Sequence, residues 1–192
     1  MKHNIPNILT VSRIVLAFVF LGFYLSNSVQ LRLLGIFIFA IAALTDFFDG
    51  YFARAYKVSS NFGIFLDPLA DKFLTISGFV TLPILFPLTF PWWAIAAILV
   101  RDVFITGFRM WAENKGQMIE TRYLAKVKTL LQMIFLYVAL FFGAFRKLET
   151  PIAAFSNQMF TSGILTYSLY AVALITVYSG IEYLFKNKSL FK

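Results

Sequence analysis

The sequence predicts an all-α integral membrane protein: a six-transmembrane-helix bundle with a short N-terminal interfacial helix. Three observations carry that expectation. The 192-residue chain is 60% hydrophobic and only 14% charged, where a soluble domain carries roughly a quarter of its residues charged. Its 24 Phe exclude a solvated coil, which cannot hold so many groups that demand burial. Its apolar residues come in runs parted by short polar breaks, and one membrane span takes about 20 such residues. Six spans fill the chain, so a single domain over 1–192 is expected, without repeat, low-complexity tract or linker.

Each element has its own signal. Residues 1–13 are polar and are expected to lie as a helix in the interface. The apolar run from Ile14 opens the first span, 14–30, and Leu33 to Leu44 is the core of the second, 33–54, which runs into a polar stretch ending at Arg54. The third span is expected over 64–88. Pro87 and Pro91 mark a tight reversal, after which the fourth covers 91–114. The fifth is expected over 121–145. Pro151, Ser156 and Asn157 mark a longer reversal before the sixth, 158–186. Trp92, Trp93 and Trp111 suit the aromatic belts of a bilayer.

Lys and Arg placement sets the orientation, because short cytoplasmic loops collect them. With the amino terminus inside, 14 of the 17 cations fall on the cytoplasmic side, leaving Arg32, Arg146 and Lys147 outside. A multi-pass protein of the cytoplasmic (inner) membrane with both termini cytoplasmic is expected. A competing expectation treats residues 1–28 as a cleaved signal peptide, from Lys2, the short apolar stretch and the small residues Ser26 and Ser28.

Composition also restricts the chemistry. The chain has no cysteine and one histidine, His3, which leaves carboxylates, Lys, Arg and hydroxyls to do any demanding step. The net charge of +8 comes from cations scattered between apolar runs. They form no stripe or arm, so no nucleic-acid partner is expected. The partner surface is anionic lipid.

Four of the nine acids fall within 26 residues, as Asp46-x-x-Asp49-Gly50-x-x-Ala53-Arg54, then Gly63, Asp67 and Asp71. Steps of three and four place the first set on one face of a helix and the second set on one face of the next. A short connection makes the two helices antiparallel neighbours, so the carboxylates converge. Four such charges repel unless something positive neutralises them. Two hard divalent cations, Mg²⁺ or Mn²⁺, would balance them through oxygen ligands, and a metal pair suits in-line displacement at phosphorus. Gly50 and Gly63 leave room for a phosphate ester or base to approach the backbone, and Arg54 can hold a phosphate oxygen. The same acids could instead form ion pairs with Arg54, Lys57 and Lys72, or line the pathway of a divalent-cation transporter.

This string resembles the signature of the CDP-alcohol phosphotransferase family, with every position and gap filled. The resemblance implies a six-helix membrane enzyme, often a homodimer, that transfers the phosphatidyl or similar group of a CDP-linked donor to an alcohol and releases CMP. By position, Asp46, Asp49, Asp67 and Asp71 would ligate the two metals and Asp71 would be the general base. Gly50, Ala53, Arg54, Ser60 and Gly63 would contact the donor nucleotide and its phosphates. Further stretches resemble the bacterial members that use CDP-diacylglycerol and glycerol 3-phosphate: Asn4 to Arg13, Arg101-Asp102 with Gly107 and Arg109, Lys126-x-Lys128-Thr129 with Gln132, and Ser179-Gly180-Ile181-Glu182-Tyr183.

Charge supports that acceptor separately. Glycerol 3-phosphate is a dianion, and its site needs fixed positive charge. Arg109 and Lys126, with Arg101 and Lys128 behind them, are the candidates. Each could instead snorkel to lipid headgroups, and Arg101 with Asp102 could be a structural ion pair. Asn7, Thr10 and Arg13 share a face by steps of three. Asn7 and Thr10 are candidates for contact with the donor, the other reading being an amphipathic anchor. Inositol phosphate, phosphatidylglycerol or another alcohol remain alternative acceptors.

Overall fold

The computed structural model describes residues 5–56, 61–115 and 123–187, with side chains described for 10–45, 70, 72–112, 115 and 126–187. The described residues form seven α-helices and no strand: α1 (Ile5–Tyr24), α2 (Val29–Tyr56), α3 (Asn61–Leu85), α4 (Trp92–Asn114), α5 (Tyr123–Phe145), α6 (Pro151–Thr161) and α7 (Ile164–Lys186).

Three boundaries differ from the sequence expectation. The interfacial segment and the first span are one continuous helix, α1, because Pro6 lies in the first turn, where a missing N–H is harmless. Helix α3 starts at Asn61, so Pro68 is interior and Gly63, Asp67 and Asp71 share one helix. The reversal expected after Pro151 is itself a helix, α6. Thr150 caps it by accepting from the Ala153 N–H, and Pro151 begins it with φ already suited to a helix. At 11 residues it is about 16 Å long, too short to span. Gly163, at φ 79°, then ends that course and starts α7.

Helix α1 packs against α2 and α3; α4 packs on α3 and α7; α5 packs on α2, α3, α6 and α7. An aromatic core fills one half of the bundle. Phe20 meets Phe39 at 4.8 Å between ring centroids, Phe86 meets Phe160 at 4.8 Å, and Phe90 lies between Phe135 and Phe160. The Tyr24 hydroxyl donates to the Leu140 carbonyl at 2.6 Å, fixing α1 to α5. The three cations expected on the outer side all find partners at this end. Arg32 donates to the Ser26 carbonyl, Lys147 to Asn27, and Arg146 donates to Asn157 while stacking on Phe160.

Large apolar side chains also cover the outside: Phe37 is 62% exposed, Val100 67%, Leu174 71% and Phe185 71%. A soluble monomer does not expose so much contiguous apolar surface. Two helical segments among the described residues, Lys126–Phe145 and Ile164–Lys186, are long and apolar enough to cross a bilayer. The chain is an all-helical membrane protein.

Candidate active site

Asp46, Asp49, Gly50, Ala53 and Arg54 lie on α2, and Gly63, Asp67 and Asp71 lie on α3. Both segments are helical throughout, so the steps of three and four do put each set on one face. The two helices are in contact, and four residues separate them in the sequence. Helix α2, with 28 residues, is about 42 Å long. That exceeds a hydrocarbon core of about 30 Å. The four carboxylates therefore lie two on each of two helices in contact, and oxygen donors of this kind suit hard divalent cations. The side chains of these residues, and Ser60 and Lys57 altogether, lie outside the described residues.

Helix α1 packs against both acidic helices. It buries Thr10 and Arg13 completely. A guanidinium held inside an apolar bundle needs anionic company to offset its desolvation, and its helix lies against the two that carry the four acids. The Asn7 side chain lies outside the described residues.

The expected acceptor cations divide into two groups. Lys128, 3% exposed, and Arg101 both engage the Asp102 carboxylate: Lys128 in a close ion pair, Arg101 through Nη1 at 3.1 Å. Arg101 Nη2 also donates to Ser179 Oγ at 2.9 Å, and Ser179 in turn donates to the Thr176 carbonyl. One turn along α5 from Lys128, Gln132 donates to Thr176 Oγ1 at 3.3 Å. The charge of Lys72, next to Asp71, also acts on Asp102. In the second group, Lys126 is exposed, and Arg109 is half-buried with no hydrogen-bond partner for its Nε among the described residues. Glu182 pairs with Lys186 one turn on, as a helix-end partner.

Sequence reasoning missed Asp102 as the centre of this network, and missed Tyr183. The Tyr183 hydroxyl is buried with no partner, its ring edge-on to Phe108 at 6.1 Å. The spacing of Lys128 and Gln132 was the one available signal, since it puts both on the face of α5 that meets α7.

The chain is 34% identical over 190 residues to the CDP-diacylglycerol–glycerol-3-phosphate 3-phosphatidyltransferase of Pectobacterium atrosepticum, covering 96% of this chain and 94% of that protein. It is 32% identical over 197 residues to the Bacillus subtilis protein of the same name, covering 96% and 95%. The Rickettsia typhi protein of that name is 40% identical over 136 residues, covering 70% of this chain and 75% of its own. The family model described as CDP-alcohol phosphatidyltransferase matches residues 3–178, a span that takes in α1 to α6 and most of α7. On the strength of that match and of these relatives, this chain belongs to the CDP-alcohol phosphatidyltransferase family.

Proposed function

We propose that the protein transfers the phosphatidyl group of CDP-diacylglycerol to glycerol 3-phosphate, forming phosphatidylglycerophosphate and CMP. The observation that carries this is the acid pattern of Asp46, Asp49, Asp67 and Asp71 on two helices in contact. The names of the relatives support the same donor and acceptor.

Asp46, Asp49, Asp67 and Asp71 would hold two divalent cations, Mg²⁺ or Mn²⁺, which supply neutralising charge for the pyrophosphate and the leaving CMP. Gly50 and Gly63 leave the backbone open to the donor nucleotide. Ala53, Arg54 and Ser60 would contact the same nucleotide and its phosphates, as would Asn7 and Thr10. Arg109 and Lys126 bind the acceptor's phosphate and point its primary hydroxyl at the diacylglycerol-bearing phosphorus. Asp71 takes the hydroxyl proton as the oxygen–phosphorus bond forms, and the bond to CMP breaks with its electron pair leaving on the CMP oxygen. Holding both reactants in line does much of the work.

The reading includes a setting. Six long helices cross the inner membrane with both termini cytoplasmic, the acidic ends of α2 and α3 face the cytoplasm, and two copies associate. It is tested by giving purified protein CDP-diacylglycerol, Mg²⁺ and a panel of acceptors and measuring CMP. Release is expected with glycerol 3-phosphate, and not with serine, inositol phosphate or phosphatidylglycerol. Metal flux into vesicles without CMP release would mark a transporter instead.

A further inference from the structure

The late motif Ser179-Gly180 has no part in the transfer step, yet the structure gives both residues the same neighbour. Ser179 accepts from Arg101. Gly180 lies under the Arg101 stem: a Cβ built there would sit 2.9 Å from Cγ and 3.0 Å from Nε. Any larger residue therefore pushes Arg101 out of its place between α4 and α7. Arg101 in turn meets Asp102, and Asp102 meets Lys128. Helices α4 and α5 both pack on α3 and on α7, so the Asp102–Lys128 pair crosses the space those four helices enclose. Lys72 acts on the pair from α3.

Charge gives the cluster a direction. Arg101 and Lys128 bring two positive charges to the one negative charge of Asp102, and Lys128 and Asp102 are both buried. That positive surplus suits an anion, and a phosphate monoester is one. An ammonium has three donors, and among the described residues Asp102 is the side chain that Lys128 hydrogen-bonds. Its other donors can serve a ligand.

We infer that Asp102 is a positioning residue: braced from α7 through Arg101, it holds the Lys128 ammonium in place for the phosphate of the acceptor. The inference rests on the proposed use of glycerol 3-phosphate. It also changes the part of Arg101, which serves as a strut resting on Ser179 and Gly180 and does not touch the acceptor.

The test is steady-state kinetics of CMP release, varying each substrate, for Asp102→Asn, Asp102→Glu, Gly180→Ala and Lys128→Gln. Asp102→Asn and Lys128→Gln are expected to raise KM for glycerol 3-phosphate tenfold or more, with KM for CDP-diacylglycerol within twofold of the parent. Asp102→Glu should recover most of the loss. Gly180→Ala deletes no charge, only displacing Arg101, and should raise the same KM about threefold. Equal effects on both KM values, or an unchanged KM for glycerol 3-phosphate in Gly180→Ala and Lys128→Gln, would overturn the inference even if Asp102→Asn does not fold. A parent enzyme that ignores glycerol 3-phosphate would instead overturn the proposed function.

Discussion

Arg13 heads the fully buried side chains by size, and a charge so placed shows where the chain has traded apolar packing for chemistry. With Asp71 as the base, Asp71→Asn should leave metal binding in place, read by Mn²⁺ titration, while CMP release falls by about a thousandfold or more. Arg109→Lys keeps the charge but loses the planar fork. It should raise KM for glycerol 3-phosphate about tenfold, as expected for roughly 1.5 kcal/mol of charged hydrogen bonding. The helices that carry the acids were legible in the sequence, and within each helix the spacing of three and four sets its pair on one face. Asp102 was not, because its partners come from α5 and α7, and contacts between distant segments leave no period in the sequence. Arg101 shows where that limit falls: the sequence offered its ion pair with Asp102, which the fold bears out, and only the fold shows that Ser179 holds it as well.

Among the elements, the long helices were legible and their ends were not. Apolar runs give the six long helices within a few residues, but α1 continues through the polar face of Asn7, Thr10 and Arg13 without a break. Helix α6 was hidden because Pro151, Ser156 and Asn157 suit a turn as well as a capped first turn. Two substitutions probe these elements. Gly163 opens α7 in the left-handed region, so Gly163→Ala should cost about 1 kcal/mol, seen as a lower midpoint in denaturant unfolding. Tyr24→Phe removes the hydroxyl that ties α1 to α5. It should cost about 1 to 3 kcal/mol by leaving the Leu140 carbonyl short of its donor, with activity at low temperature unchanged.

For the molecule as a whole, the charges and the rings part company. Phe20, Phe39, Phe90, Phe135 and Phe160 share one buried cluster, and the Asp102 network stands apart from it in sequence and chemistry. Only three of the 17 cations were expected outside, and each of the three has a protein partner. The absence of cysteine makes orientation measurable: Lys2→Cys and Ser189→Cys should react with an impermeant maleimide only when the cytoplasmic face is open, and Ser28→Cys from the outside. The central claim is transfer, not hydrolysis or transport. The most direct measurement supplies ³²P-labelled glycerol 3-phosphate with CDP-diacylglycerol and Mg²⁺ and follows label and CMP together. The account predicts one label in the lipid phase for each CMP released, abolished by chelation and restored by Mg²⁺. CMP released without label in lipid, or label transfer that survives chelation, would contradict it.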